Sequence, residues 1–312
     1  MRRYAAQRVG YGAVTMWLVT LCVFALLRVS GDPIKYMLPP EASFSDIERM
    51  RRVHGLDKPL WQQYLLFNKG IVTGEFGVSL RWDQRPAFEV FLSRLPTTLQ
   101  LTTAALVFSV LLGVPLGVLA ATRPNSVWDR LGRTGAVIGQ SMPVFWVGLL
   151  LILLFTVRLG WLPSAGGIDR LGLAGLIMPA VSLGFYLVAA HMRIVRSTML
   201  DALSAPYIVM VQAKGIPRRV VLWKHALKNA AIPVFTLFAV NFAQLISGAV
   251  ITESIFAWPG MGRLLVESVF ARDYAVVQTV VFFASAMIVI LNIVVDLTYA
   301  WLDPRIRLSE AG

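Results

Sequence analysis

Residues 95–121 read LPTTLQLTTAALVFSVLLGVPLGVLAA and contain no Asp, Glu, Lys or Arg. This uncharged stretch is longer than the roughly 20 residues that an α-helix needs to cross the hydrocarbon core of a membrane. Five further stretches have the same apolar character. They are Val9–Leu27, Thr134–Val157, Leu173–Met192, Ala230–Thr252 and Ala275–Trp301. The sequence therefore predicts six membrane-spanning helices.

The composition supports this prediction over the whole chain. Of the 312 residues, 57% are hydrophobic and 15% are charged, and the mean hydropathy is +0.67. Soluble domains carry about 25% charged residues. Helices satisfy their own backbone hydrogen bonds in lipid, so we predict an all-α polytopic membrane protein. The single cysteine, Cys22, lies in an apolar stretch, which excludes a disulfide scaffold and a cysteine-based zinc site.

The distribution of Lys and Arg predicts the orientation, because cytoplasmic loops carry an excess of both. With the N-terminus inside, 15 of the 29 Lys and Arg residues lie in cytoplasmic segments and four lie in the two short outer loops. The other ten are Arg28 and nine residues of the long segment 29–94, which is a poor reporter of topology. We therefore expect both termini in the cytoplasm. The apolar run after Met1 is long for a signal peptide and lacks a cleavage site, so we interpret it as a retained first helix.

Four parts are predicted along the chain. They are an N-terminal transmembrane helix (1–28), an extracytoplasmic helical segment (29–94), a five-helix core (95–302) and a cytoplasmic tail (303–312). In the second part, Ser45 and Glu48 have the spacing of a capping box. Pro59 opens an amphipathic stretch whose Trp61 and Tyr64 suit a helix at the membrane surface. We expect this part to cover the outer face, with direct substrate binding as the alternative.

The cytoplasmic loop 193–229 is the most informative region for function. Pro206 suits a first helical turn and Gly215 suits the position just past a helix end. The stretch between them is apolar almost all round and far too short to span a membrane. An exposed apolar helix of this kind indicates an interface. It either docks a cytoplasmic partner or forms an interfacial hairpin between two spans. Pro217 begins a second, basic helix with Trp223, which suits lipid headgroups.

Polar residues inside the predicted spans are few. Asn241, Gln244 and Ser247 recur at i, i+3, i+6 on one side of the fifth span, and with Ser141 they are candidates for the translocation path. Hydrogen bonding between helices is an equal competitor for these side chains. Asp296 lies near the cytoplasmic end of the sixth span, where we expect it to pair with a basic group.

Two further features concern gating and catalysis. The turn Trp258, Pro259 and Gly260 is a candidate outer gate with an aromatic anchor, and structural packing is equally compatible with it. The sequence has no G-x-x-x-x-G-K-[ST] loop and no H-E-x-x-H motif, and its three histidines are scattered. We therefore predict no enzyme activity, no metal and no cofactor in this chain.

Short motifs along nearly the whole chain, from Met1 to about Leu308, resemble those of one known family. They are Gly31-Asp32-Pro33, Leu95-Pro96-Thr97-Thr98-Leu99, Ser141-Met142-Pro143-Val144-Phe145-Trp146, Gly160-Trp161-Leu162-Pro163, Ala213-Lys214-Gly215, His225-Ala226-Leu227-Lys228-Asn229, Phe256-Ala257-Trp258-Pro259-Gly260-Met261-Gly262, Ala271-Arg272-Asp273-Tyr274 and Asp303-Pro304-Arg305-Ile306. In this order and spacing the chain resembles the inner-membrane permease subunits of ABC importers, in the dipeptide/oligopeptide/nickel class.

The resemblance implies a six-helix importer permease with an extracytoplasmic insertion after its first helix. It assigns the coupling to an ATPase subunit to about Tyr207–Arg218, which we call the candidate coupling segment. The implied coupling residues are Tyr207, Val211, Ala213, Lys214, Gly215, Ile216, Pro217, Arg218 and His225. One departure is that Val209-Met210-Val211 occupy the positions where the broad importer signature has Glu-Ala-Ala.

The resemblance also implies a set of partners. They are a second homologous permease, with a different chain favoured, two ATPase subunits that bind ATP-Mg, an extracytoplasmic solute-binding protein and the lipid bilayer, but no nucleic acid. The expected location is a bacterial or archaeal cytoplasmic membrane. The favoured cargo is di- and oligopeptides, with nickel complexes or glutathione-like peptides open. A self-sufficient secondary transporter is the alternative, and the charge-poor spans without a visible repeat argue against it.

Overall fold

The computed structural model describes residues 2–29, 31, 34, 43–53, 55–79 and 81–302. The described chain is built from helices, which confirms the predicted all-α class. It divides into two compact units: Met1–Thr97 with Pro259–Ala300, and Thr98–Trp258. The predicted cytoplasmic tail, 303–312, lies outside the described residues, as do Asp32, Pro33 and His54.

Thirteen α-helices and two π-helical stretches are described, and we number them in chain order. They are α1 (Arg2–Val29), α2 (Phe44–Val53), α3 (Leu60–Thr73), α4 (Ala87–Thr122), α5 (Val127–Ser141), α6 (Val144–Leu151), π1 (Ile152–Arg158), α7 (Ile168–Leu171), α8 (Ala174–Ser204), α9 (Pro206–Ala213), α10 (Arg218–Val220), π2 (Val221–Ala226), α11 (Leu227–Ile255), α12 (Met261–Phe270) and α13 (Tyr274–Leu302).

Four helices of the described chain are long and apolar enough to cross a membrane. They lie at Ala5–Val29, Ala87–Thr122, Ala174–Ser204 and Tyr274–Thr298, and they correspond to the predicted first, second, fourth and sixth spans. The predicted fifth span lies within α11, several of whose side chains are not described. The number of spans therefore stays a prediction.

The predicted third span, Thr134–Val157, is not one continuous helix. Helices α5 and α6 meet at a bend of 100°. The break falls at Met142, whose backbone is extended at φ −82° and ψ 124°, just before Pro143. Proline disfavours the helical conformation in the residue that precedes it and offers no N–H to the helix. The two helices are together apolar enough to form one broken span, so the third span stays a prediction.

In the second unit, glycines allow α4 and α8 to approach closely. A Cβ atom added at Gly113 would lie 2.7 Å from the Cβ of His191, and one at Gly117 would lie 2.7 Å from the carbonyl oxygen of Met192. Real Cβ atoms do not come so near, so only glycine fits these positions. The close packing gives α8 a fixed support along its length, and α8 leads directly into the candidate coupling segment.

In the first unit, α1 and α13 are joined near one end by an ion pair. The Arg8 Nε lies 3.2 Å from an Asp296 carboxylate oxygen, which confirms the expected pairing of Asp296 with a basic group. Elsewhere in this unit five phenylalanine rings cluster with centroids about 5–6 Å apart. They are Phe76, Phe88, Phe91, Phe282 and Phe283. This packing ties the segment after α3 to α13.

The start of α2 differs from the predicted capping box. Ser43, and not Ser45, precedes the helix, and its hydroxyl accepts a hydrogen bond from the backbone N–H of Asp46 at 3.3 Å. The same hydroxyl donates to the Asp46 carboxylate at 2.6 Å and lowers the pKa of that carboxyl below its usual value. The prediction from Ser45 and Glu48 was wrong by two residues because two serines offered competing caps.

Candidate coupling site

Helix α9 carries the exposed part of the candidate coupling segment. Pro206 occupies its first turn, as predicted, and the helix has eight residues. The Ile208 side chain is fully buried against α4, α8 and the start of α11. It belongs to a hydrophobic group that we call the anchoring cluster. Its buried members are Val118, Ala121, Val195, Met199, Ile208, Val221, Ala226, Ala230 and Val234. The short helix is therefore seated on the second unit by an apolar anchor.

The other side of α9 is apolar and exposed. Val209 is 61% exposed and Met210 is 65% exposed, although both follow directly after the buried Ile208. Tyr207 is also exposed, and its hydroxyl donates to the carbonyl oxygen of His225 at 3.5 Å. Val211 is half-buried against the anchoring cluster. A partner that covers Val209 and Met210 would bury apolar surface without disturbing the residues beneath them.

The segment leaves α9 through a sharp turn. Gly215 has φ +72°, a left-handed conformation that glycine adopts without steric cost. Its N–H donates to the carbonyl oxygen of Gln212 at 2.9 Å. Ile216 then returns to the anchoring cluster, and the guanidinium of Arg218 donates to the Thr122 carbonyl oxygen at the end of α4 at 3.1 Å. Both ends of the exposed turn are thus held by the second unit.

The remaining predicted coupling residues lie at the surface of this turn. Ala213, Lys214 and Pro217 are exposed, and His225 is half-buried. The basic helix predicted after Pro217 is not a separate element, because α10, π2 and α11 follow one another without a break. Its Val221 and Ala226 side chains are buried in the anchoring cluster, so this stretch packs on the protein on that side, while Trp223 is exposed.

A buried ion pair joins α5 to α8, the helix that precedes α9. The Asp129 carboxylate is fully buried and accepts two hydrogen bonds from the Arg196 guanidinium, at 2.5 and 2.8 Å. The N–H of Asn125 donates to the same carboxylate at 2.9 Å, and the Asp129 N–H donates to the Ser126 hydroxyl. A bidentate pair of this kind fixes both distance and angle between two helices. It holds the C-terminal half of α8 in one position relative to α5.

The four predicted path residues have different environments. Asn241 is buried, and its amide nitrogen lies 3.0 Å from the His191 Nε2 on α8. Gln244 and Ser247, one and two turns further along α11, are exposed. Ser141 is exposed at the end of α5, beside the bend, and its hydroxyl donates to the Val137 carbonyl oxygen. Asn241 therefore makes a contact between two helices, whereas Gln244 and Ser247 present polar groups at the surface of the unit.

The three predicted gate residues are also placed differently. Trp258 is fully buried against apolar residues of α4, α8 and α11, and its backbone N–H donates to the carbonyl oxygen of Glu253. Pro259 is half-buried and Gly260 is buried at the start of α12. Trp258 has the anchoring character that the sequence indicated, and the gate role of the turn stays a prediction.

Several contacts that define this region are not visible in the sequence. Val209 and Met210, the most exposed apolar residues of α9, lie inside the candidate coupling segment but were not among the individual residues implied for coupling. The Asp129–Arg196 pair joins residues that are distant along the chain, and Glu253, fully buried, accepts a hydrogen bond from the Thr98 hydroxyl at 2.6 Å. Within the described ranges no group of three His, Cys, Asp or Glu side chains is arranged to hold a metal ion.

The sequence matches two family models that together cover most of the chain. Residues 113–308 match the family described as the binding-protein-dependent transport system inner membrane component, and residues 1–102 match the N-terminal part of such membrane components. The chain belongs to this permease family. The predicted role as a permease subunit of an ABC importer is thereby confirmed, and the secondary-transporter alternative has no support.

Relatives of this permease align along almost their entire length. The di/tripeptide transport system permease DppB of Pseudomonas aeruginosa is 37% identical over 98% of this chain and 99% of its own. The glutathione transport system permease GsiC of Escherichia coli is 38% identical over the same shares. The oligopeptide transport system permease AppB of Bacillus subtilis is 37% identical over 93% of this chain and 94% of its own.

A solved structure shares the fold of the permease. The inward-facing methionine ABC transporter MetNI aligns with a TM-score of 0.56 and 20% identity over 69% of this chain and 96% of the other. At this identity the comparison concerns the fold alone.

Proposed function

We propose that this permease forms half of the translocation path of a peptide importer and that α9 docks into a cytoplasmic ATPase subunit. The observation that carries the proposal is the pair of exposed apolar side chains, Val209 and Met210, on a short helix whose Ile208 is fully buried. Hydrolysis of ATP-Mg would occur on the ATPase subunits, because this chain lacks a phosphate-binding loop.

The way α9 is attached suits the transmission of movement. Ile208 and Ile216 lie on either side of the exposed turn, and both contact the anchoring cluster. That cluster includes residues of α4, α8 and α11, so a displacement of α9 acts on three long helices together. Packed cores respond to such a push as rigid bodies and not by local deformation. This is the mechanical requirement for coupling ATPase closure to alternating access.

Gly215 provides a test of this attachment. In Gly215→Val a β-branched residue must adopt φ +72°, which costs about 1–2 kcal/mol and displaces the exit of the turn. No atom outside the local backbone lies within 4 Å of the added Cβ, so the effect is conformational and not a clash. We expect peptide uptake to fall at least tenfold while the amount of permease in the membrane stays unchanged.

The matched variant is Gly215→Asn, because asparagine tolerates the left-handed conformation. It should retain most of the uptake. Uptake would be measured with a labelled dipeptide in intact cells, and the amount of permease by immunoblotting of membranes. Normal uptake by Gly215→Val would contradict a role of this turn in coupling.

The exposed polar residues of α11 suit a path shared with a second permease. Gln244 and Ser247 occupy one side of a helix whose opposite side is buried, and an amide and a hydroxyl can bond peptide backbone groups. We propose that a second, homologous but different permease chain faces them. Ser141 and the turn at Trp258 are proposed as further path and gate positions.

The proposed cargo is di- or oligopeptides, with glutathione-like peptides as a close second, since relatives of both kinds align along nearly all of the chain. The proposed setting is a bacterial inner membrane with both termini in the cytoplasm. The test is mass spectrometry of proteins that co-purify with the tagged permease from its native membrane. We expect a P-loop ATPase, a second permease and a solute-binding protein, which then becomes the reagent for identifying the cargo. Recovery of the chain alone, under conditions that keep a control importer assembled, would contradict the proposal.

A further inference from the structure

A large cavity lies within the first unit, beside the C-terminal half of α1. Its volume is about 1310 Å³, and α2 and α3 form its other walls. The lining is mixed: aromatic and aliphatic side chains alternate with arginines and two carboxylates. Sites for small ligands usually measure about 300–1,000 Å³. This cavity therefore has room for a ligand with both a polar group and a sizeable apolar part.

Arg28 presents an unused hydrogen-bond donor at this cavity. Its guanidinium lies over the Phe24 ring at 4.8 Å and over the Tyr274 ring at 5.2 Å, and its Nε donates to the Gln63 side-chain oxygen at 2.8 Å. Gln63 is held in turn by a hydrogen bond from its amide to the Lys58 carbonyl oxygen. The guanidinium is thus fixed, yet its Nη1 is buried and has no hydrogen-bond partner in the described part of the chain.

A buried charged donor without an acceptor is costly, and a guanidinium fork matches the oxygens of phosphate. Two more arginines, Arg51 and Arg52, line the cavity from α2. With Arg28 they make three positive charges in the lining, compared with the two negative charges of Glu48 and Asp57. Arg52 lies 3.6 Å from Glu48 in an exposed pair, so it stays accessible at the rim. The excess of positive charge and the fixed Arg28 guanidinium, which lines the cavity, both point to an anionic ligand.

The apolar lining indicates the source of that anion. Leu21, Ala25 and Val29 recur at helical spacing on one face of α1, and all three are exposed. Helix α1 is a candidate membrane span that is hardly buried within the protein. Across the cavity, Trp61 is 63% exposed, and tryptophan is enriched where the membrane meets water. The cavity is therefore open along an apolar surface that acyl chains would contact. A small soluble anion would not need this apolar surface.

We infer that this cavity binds one anionic phospholipid, whose phosphate accepts a hydrogen bond from Arg28 and whose acyl chains follow the Leu21–Val29 face of α1. The site would fix α2 and α3 to the end of α1 at the membrane surface. It does not depend on the proposed cargo or on the coupling role of α9.

The test is native mass spectrometry of the intact, delipidated permease complex titrated with phosphatidylglycerol. Arg28→Gln removes the charge and the free donor, and we expect it to weaken phosphatidylglycerol binding about tenfold, as loss of a charge-assisted hydrogen bond does. Arg28 also bonds Gln63, so Trp61→Ala serves as a second variant that alters only an exposed lining residue. It should weaken binding severalfold. Arg49→Gln, on α2 but outside the lining, is the matched control and should bind as the unchanged protein does.

Three ligand arms separate the possible occupants. Phosphatidylcholine should bind more weakly than phosphatidylglycerol, because its headgroup carries no net charge. Millimolar inorganic phosphate and a dipeptide should both fail to displace the lipid. Displacement by phosphate alone would identify a small-anion site, and displacement by the dipeptide would identify a peptide site. Either result, or equal phosphatidylglycerol binding by the Arg28→Gln, Trp61→Ala and unchanged proteins, would overturn the inference.

Discussion

Replacing Met210 with aspartate should abolish peptide uptake and separate the ATPase subunits from the permease. Met210 is 65% exposed and lies on the apolar side of α9. Docking would bury it, and an unpaired carboxylate in an apolar interface costs several kcal/mol. Each 1.4 kcal/mol weakens an equilibrium tenfold, so affinity should fall by at least a hundredfold. The measurement combines labelled-dipeptide uptake with quantification of co-purified ATPase.

Two comparisons make this result specific. Met210→Leu keeps the volume and the apolar character, so it should retain most of the uptake. The amount of Met210→Asp protein in the membrane should match the unchanged protein, because the side chain is mostly exposed and does not belong to the anchoring cluster. Ile208 would not serve, since a charge at that fully buried position tests folding and not docking. Full uptake by Met210→Asp would remove the exposed surface of α9 from the mechanism.

The second large effect is expected on stability. Asp129→Asn leaves the Arg196 guanidinium without its carboxylate partner. The Arg196 side chain is only 19% exposed, so water cannot fully replace that partner. Breaking one partner of a buried pair costs about 3–5 kcal/mol. We expect the detergent-solubilised permease to melt many degrees lower, as followed by the temperature-dependent loss of monodisperse protein. Uptake should fall as the folded protein is lost.

Arg133→Gln is the matched control for this effect. Arg133 also approaches Asp129, at 3.7 Å, but its side chain is 51% exposed, and exposed ion pairs contribute less than about 1 kcal/mol. Its melting temperature should stay close to that of the unchanged protein. The double variant Asp129→Asn with Arg196→Gln removes both charges and should recover part of the lost stability. A melting temperature of Asp129→Asn equal to that of the unchanged protein would contradict the structural role of the pair.

Local signals in the sequence predicted the helices well and their connections less well. Apolar runs without charges gave the long helices, and Pro206 with Gly215 delimited α9, because proline and glycine act on the backbone at their own positions. Pro143 indicated only a local loosening of the third span, because a proline within an apolar run is compatible with both a kink and a full break. The outcome depends on packing around it, which the sequence does not display.

The parts of the site that sequence reasoning missed are long-range or environmental. Asp129 and Arg196 are 67 residues apart, and nothing in either local pattern indicates a partner. The contrast between the buried Ile208 and the exposed Met210 arises from the way α9 rests on α4, α8 and α11. A helix that is hydrophobic all round lacks the alternation of apolar and polar residues that would identify its buried face in the sequence.

The measurement that tests the central claim most directly is cysteine cross-linking from α9. The chain has one cysteine, Cys22, so Cys22→Ser provides a cysteine-free background. In it, Met210→Cys would be treated with a short bifunctional reagent in native membranes, with Thr73→Cys, exposed on α3, as the control. The account predicts an adduct between residue 210 and an ATPase subunit, whose yield changes when ATP is added, and no such adduct from residue 73. An intact importer in which residue 210 gives no ATPase adduct, or gives no more than residue 73, would contradict it.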